Sequence, residues 1–275
     1  MTGTGALPPT IEALRRTAEE GARLCGAILR QRFPVPRTVE LKGGIDLVTD
    51  ADKASEEALL ALLRERYPDH AVLAEESGAH AGGDYRWIID PLDGTTNYAH
   101  QVPQFCVSIA VEGPAGLLAG AVLDPMRDEL FSAGAGLGAT LNGQPLSVST
   151  CRELDRALLC TGFPYDVRER PEGPVGMFTH FVLSAQGVRR MGSAALDLAY
   201  VAAGRFDGFF EFGLKPWDLA AGALLISEAG GTMLRIDGAP LDLAHGNVLA
   251  SGPGLLPRLQ ADCRAFLDSM GWVPP

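Results

Sequence analysis

Two carboxylates on either side of a proline carry the chemistry this sequence suggests first. They sit in the stretch Trp87-Ile88-Ile89-Asp90-Pro91-Leu92-Asp93-Gly94-Thr95-Thr96-Asn97-Tyr98. Trp87 to Ile89 is apolar and β-forming, so it reads as the end of a buried strand. Pro91 fixes its own φ and turns Asp90 away from helix, which puts Asp90 and Asp93 on a stiffened turn. Gly94-Thr95-Thr96 is a small-residue step that can open a helix, and free N–H groups there favour an anion. Acids aimed at hard cations, beside amides aimed at a phosphate, make a metal–phosphate site. A strand, an Asp-Pro turn and a threonine cap also account for most of these residues structurally.

Other polar positions carry the same double reading. Asp50 and Asp52 open a helix, where an acid is ordinarily a cap. Glu75-Glu76-Ser77 follow a short strand, and paired glutamates there are commonly a solvated turn. Lys42 before Gly43-Gly44 reads as a solvated loop residue, and Ser193 after Gly192 as an N-cap. Asp218 in Pro216-Trp217-Asp218 reads as a first-turn acid complementing a helix dipole. Glu211 lies in an aromatic strand whose rings are core.

The elements that must position these groups follow from periodicity. Ile11, Leu14, Ala18, Ala22, Cys25 and Leu29 recur at helical spacing and predict an amphipathic helix over 11–31, ended by Pro34 and Pro36. A short strand precedes a second helix that opens at Asp50 and stops at Tyr67-Pro68. Residues 71–74 form a short strand, and the Gly- and Ala-rich segment 79–84 reads as a surface hairpin. Strands over 105–111, 117–123 and 129–133 suggest an antiparallel meander, with an Asn142-Gly143 hairpin turn after it. A boundary near 145–152 divides the chain into an N-terminal half, 1–147, and a C-terminal half, 148–275. The second half alternates strand and helix. Strands are expected at 158–161, 206–212, 232–236 and 247–251. Helices are expected at 175–186, after the Gly192 step, from Pro216 to Gly230-Gly231, and over 253–270.

Composition narrows the function. The 275 residues are 47% hydrophobic, enough for one large core or two modest ones. A net charge of −11 argues against nonspecific nucleic-acid binding and against a polybasic membrane contact. An anionic substrate stays open, because bound cations invert local charge. Five scattered cysteines without a Cys-x-x-Cys pair suit reduced thiols in a cytosol. No signal peptide or membrane-spanning run is evident, and a cytoplasmic protein is expected.

The signature around Asp90, together with Ala74-Glu75-Glu76-Ser77 and Trp217-Asp218-Leu219-Ala220-Ala221-Gly222, resembles the inositol monophosphatase family, metal-dependent phosphatases of small phosphate esters. The likeness spans roughly 10–270, with Ala74 standing where the family pattern has glycine. It implies an α/β (α+β) fold, a layered α/β/α/β/α sandwich of the inositol monophosphatase/fructose-1,6-bisphosphatase-like kind. An antiparallel sheet would dominate the first half, a smaller mixed sheet the second, with the site between them.

The resemblance also implies roles. Glu75, Asp90 and the Leu92 carbonyl would hold one Mg²⁺, and Asp90, Asp93 and Asp218 a second, with a third, weaker ion near Glu75. Thr95, oriented by Asp52, would position the attacking water, and Lys42 would approach the site. Asp93, Gly94 and Thr95, the step Gly192-Ser193-Ala194, and Glu211 would contact substrate. An oxygen-only ligand set suits Mg²⁺. The expected reaction is hydrolysis of a small phosphorylated metabolite, with myo-inositol monophosphate as the default. Fructose 1,6-bisphosphate, NADP, histidinol phosphate and adenosine 3',5'-bisphosphate are alternatives. A regulatory binding protein with secondary phosphatase activity is the competing class. A homodimer and sensitivity to Li⁺ are further family expectations.

Overall fold

The computed structural model describes residues 9–33, 39–41 and 47–271. In chain order the first elements are α1 (Ile11–Arg32), β1 (Val39–Leu41), β2 (Leu47–Thr49), α2 (Asp50–Arg66), β3 (Ala71–Ala74), β4 (Gly78–His80), β5 (Arg86–Asp93) and α3 (Thr95–Ala99). A meander follows: β6 (Cys106–Gly113), β7 (Gly116–Asp124), β8 (Glu129–Gly134), β9 (Gly138–Leu141) and β10 (Gln144–Pro145). Then come β11 (Leu158–Thr161), α4 (Glu172–Ser184), β12 (Gly187–Arg189), α5 (Ala194–Ala202), β13 (Gly208–Glu211), α6 (Pro216–Glu228), β14 (Thr232–Arg235), β15 (Val248–Ser251) and α7 (Leu256–Met270).

Strands β3 to β10 form an eight-stranded sheet in the order β10-β9-β8-β7-β6-β5-β3-β4. Only the β3–β5 pair in it is parallel. A second, mixed sheet runs β12-β11-β13-β15-β14, with β11 parallel to both β12 and β13. Alternation of side chains assigns each face of the sheets to a helix layer. Trp87, Ile89, Val107, Ile109 and Ala121 pack against α1 and α2. Their neighbours Ile88, Cys106, Ala110 and Val122 join the core around α5 and α6. The far side of α5 meets the second sheet, whose opposite face carries Leu159, Phe210 and Leu249 against Met177 and Phe181 of α4 and Leu259 and Cys263 of α7. The result is five layers, α/β/α/β/α. With layers on both sides, all nine residues of α5 are buried, so the helix is apolar nearly all round.

Several boundaries differ from the sequence expectation. The hairpin lies earlier than 79–84: Gly78–His80 is an edge strand paired back on β3, and its turn is Glu75-Glu76-Ser77 itself. Helix α4 starts at Glu172, before the expected 175. Strand β12 was hidden by its short length and its charged Arg189. All five cysteines are free. Among the described residues no helix is long and apolar enough to cross a membrane.

Candidate active site

Strand β5 delivers the central acids through an irregularity in its pairing. Asp90 pairs with Ser108 but Asp93 with Cys106, so β5 carries one residue more than β6 over that step. Pro91 occupies the bulge, where its missing N–H leaves no ladder bond unmade. Asp90 Oδ1 accepts from the Leu92 N–H at 2.9 Å, which fixes the turn from inside. Gly94 then reverses the chain at φ +96°, and a Cβ there would sit 3.0 Å from the Gln104 carbonyl oxygen. Only glycine combines that φ with that approach.

The second half brings Asp218. It sits in the first turn of α6, where its Oδ2 accepts from the Lys215 N–H at 2.7 Å. Ser108 Oγ donates to the Trp217 carbonyl at 3.0 Å and pins this helix start against β6. Carboxylate oxygens of Asp90, Asp93 and Asp218 thereby lie within 4.8 Å of one another. At that distance and an effective dielectric of about 20, each pair of charges repels by roughly 3.5 kcal/mol. Burial pushes Asp90 well above the usual carboxylate range, with repulsion from Glu75, Asp93 and Asp218 adding to it. Asp218 is raised by burial and by Asp93. Asp93 is raised by burial against the hydrogen bonds it accepts from Ser193 and Ala195. Three such carboxylates call for protons or a cation, and an oxygen-only set without His or Cys fits a hard divalent ion.

Glu75 follows the end of β3 and lines the same cleft of about 270 Å³ as the three aspartates. The turn that carries it is clamped by Glu56, which accepts from the Glu76 and Ser77 N–H groups at 2.9 and 2.8 Å. Thr95 is buried, and its hydroxyl lies 3.3 Å from Asp52 Oδ1 and 3.1 Å from the Leu92 carbonyl oxygen. Asp52 also closes the N-terminus of α2, accepting from the Thr49 N–H at 2.9 Å. Burial pushes the Asp52 carboxyl up to about 6, opposed by the Thr49 hydrogen bonds and reinforced by Glu75. The helix cap is therefore Thr49, not Asp50, whose side chain pairs with Arg32 at 2.6 Å.

Ser193 does not cap its own helix either. Its hydroxyl donates to Asp93 Oδ2 at 2.7 Å, and that same oxygen accepts from the Ala195 N–H at 2.8 Å. An acid from β5 supplies the cap for α5 because Ser193 is turned toward it. Gly192, Ser193, Ala194 and Glu211 line the cleft beside the acids. Lys42 lies outside the described residues.

Sequence reasoning missed three residues. Glu56 lies one turn after Asp52 on the inner face of α2, and an acid on an apolar face was the available signal. Asn97 ties the signature to the glycine step, its Nδ2 donating to the Gln104 and Met191 carbonyls at 2.7 and 2.8 Å. Asp197 lines the cleft with no motif to mark it, and Arg190 lines it from the segment 189–195 that the sequence points to as a wall.

Comparison with known proteins bears on this geometry. A family model described as the inositol monophosphatase family matches residues 11–266. The Nus factor SuhB of Salmonella typhimurium is 45% identical over 255 residues, covering 91% of this chain and 96% of its own. An inositol-1-monophosphatase of Synechocystis is 44% identical over 247 residues, covering 89% of this chain and 86% of its own. The solved inositol monophosphatase of Anabaena superposes with a TM-score of 0.85 at 43% identity, covering 96% of this chain and 98% of that one.

Proposed function

The chain belongs to the inositol monophosphatase family, and from that premise we propose that it is a Mg²⁺-dependent hydrolase of a small phosphate monoester, with myo-inositol monophosphate favoured. The observation that carries this is the convergence of Asp90, Asp93 and Asp218, from both halves of the chain, within 4.8 Å. In this reading residues 1–147 bring most of the acids and 148–275 bring Asp218 and the specificity residues.

Glu75, Asp90 and the Leu92 carbonyl would hold one Mg²⁺, and Asp90, Asp93 and Asp218 another. Such ions supply Lewis acidity, which makes water a better nucleophile and neutralises charge on the leaving oxygen. The chain's own groups do the positioning. Asp52 and the Leu92 carbonyl both lie within hydrogen-bond reach of the Thr95 hydroxyl. Held there, Thr95 keeps lone pairs to accept from a water and orient it. The N–H groups of Gly94 and Thr95 would take phosphate oxygens, and the Gly192-Ser193-Ala194 step would border the ester. Glu211 would accept from hydroxyls of the alcohol portion. No phosphoenzyme is required.

The names of the relatives favour a second reading, in which a regulatory protein of this fold binds a partner and phosphatase activity is secondary. A homodimer in the cytoplasm belongs to either reading. The test is phosphate release from a panel of phosphorylated metabolites with Mg²⁺, against pull-down from lysate by Asp93→Asn. Mg²⁺-dependent release from a polyol phosphate supports the enzyme. A specific partner retained by Asp93→Asn, with no turnover of any ester by wild type, supports the regulator.

A further inference from the structure

Asp197 is a buried acid that the reaction described above does not use. It follows Ser193 by one helical turn, so α5 turns both side chains to the same side. It lines the cleft with Glu211 and Arg190, yet it is only 1% exposed. Its Oδ1 has no hydrogen-bond partner among the described residues. Its charged neighbours are Glu211 and Asp93, which repel it, and Arg190, which attracts it. Arg190 is exposed and makes no ion pair with Asp197 among the described residues.

Glu211 reaches the same wall from β13. It is 7% exposed, and its carboxylate lies so close to Gly162 that a Cβ there would come within 2.1 Å of Oε1. Any side chain at 162 would displace the acid. Two carboxyl groups from α5 and β13 thus line one cleft, and Asp197 Oδ1 there has no protein donor among the described residues. A buried carboxylate without partners destabilises a fold unless something arrives to satisfy it. Phosphate is repelled by such a pair, so the group that meets it belongs to the alcohol portion of an ester. The described acids that gather closely enough to hold a metal are Asp90, Asp93 and Asp218, and Asp197 is not among them. Hydroxyl donors match two adjacent acceptors.

We infer that Asp197 is a specificity-determining residue that, together with Glu211, accepts hydrogen bonds from hydroxyls of a polyol phosphate. This rests on the phosphatase reading proposed above. Removing the acceptor penalises only esters that carry those hydroxyls, because a site built to bond a hydroxyl discriminates by that bond.

The experiment compares wild type, Asp197→Asn and Asp197→Ala on myo-inositol 1-phosphate, 4-nitrophenyl phosphate and phosphoethanolamine, with thermal unfolding of each protein. For Asp197→Asn, kcat/KM on the inositol ester should fall roughly 10- to 100-fold, mainly through KM. Turnover of the aryl ester should change by less than about threefold, and the Mg²⁺ concentration for half-activation should not move. Tm should not fall, because Asp197 Oδ1 has no protein partner to lose. A merely structural Asp197 would instead lower Tm and depress both esters together, which overturns the proposal. So does unchanged kinetics on the inositol ester in both variants, or a loss confined to phosphoethanolamine, which would mean that the carboxylate reads an ammonium. If wild type releases phosphate from no ester, the phosphatase reading fails. Calorimetric binding of myo-inositol 1-phosphate then decides Asp197: weakened binding in Asp197→Asn supports it, and unchanged binding overturns it.

Discussion

The Ser193 hydroxyl donates to Asp93 Oδ2 at 2.7 Å, so the acid proposed to hold metal also caps a helix that lines the cleft. This couples the two halves of the site. Ser193→Ala removes one hydrogen bond to a charged group, and stability should fall by about 1–2 kcal/mol. For a chain of this size that is a Tm drop of about 2–6 °C, measured by thermal unfolding in chelator. A cycle with Asp93→Asn should return a coupling on the order of 1 kcal/mol. Additive effects would mean that the bond carries no energy.

Glu56 supports Glu75 at one remove, through the Glu76 and Ser77 N–H groups. Partners of this kind typically influence metal affinity by 10- to 100-fold. Glu56→Gln replaces one acceptor oxygen with a donor and should weaken Mg²⁺ binding by about tenfold in calorimetry, with little change in turnover at saturating Mg²⁺. Unaltered Mg²⁺ affinity would confine Glu56 to the fold.

Stability should depend on cation and pH together. Buried acids here have folded pKa values above their unfolded ones: Asp52 moves from 3.8 to about 6, and Asp90 and Asp218 move well above 3.8. Between those values the folded, cation-free protein binds more protons than the unfolded chain, so its stability falls as pH rises. For Asp52 alone the loss is roughly 3 kcal/mol and is complete above its folded pKa. A bound divalent ion offsets the repulsion only where the acids are ionised. The Tm gain from Mg²⁺ over chelator should therefore be large at pH 8 and small at pH 5. A gain independent of pH would contradict the buried-acid origin of the effect.

Much of the fold was legible because the sequence is locally consistent. The spacing of Ile11, Leu14, Ala18, Ala22, Cys25 and Leu29 marks α1 to within a residue, and the Asn142-Gly143 turn marks the β9–β10 hairpin. For α5 the helical spacing of Leu196, Tyr200 and Ala203 marks an inward face but not the burial of every other side, because such a helix has no polar stripe. Site contacts were less legible where they join residues far apart in sequence. Nothing near Ser193 indicates that its partner is Asp93, 100 positions away, rather than its own helix. Glu56 and Asp197 were missed for a related reason: each is an ordinary helical acid until the fold buries it.

Lithium offers a kinetic probe of the proposed second cation position. Li⁺ shares the oxygen preference of Mg²⁺ with half its charge, so at Asp90, Asp93 and Asp218 it would fill the position without neutralising the leaving oxygen. It should bind best once the ester is cleaved, and initial rates should show uncompetitive inhibition against substrate. Competitive inhibition would place Li⁺ elsewhere.

The most direct measurement is phosphate release from myo-inositol 1-phosphate across a Mg²⁺ titration, for wild type and Asp218→Asn at equal folded concentration. Asp218 comes from the C-terminal half to complete a cluster begun by β5, so its charge is the part of the proposed site that depends on the whole fold. The expected result is wild-type turnover that requires Mg²⁺ and vanishes with chelator, and a loss of at least about 100-fold in Asp218→Asn at every Mg²⁺ concentration. Turnover that survives chelation, or an Asp218→Asn enzyme that matches wild type at saturating Mg²⁺, would contradict the two-cation site.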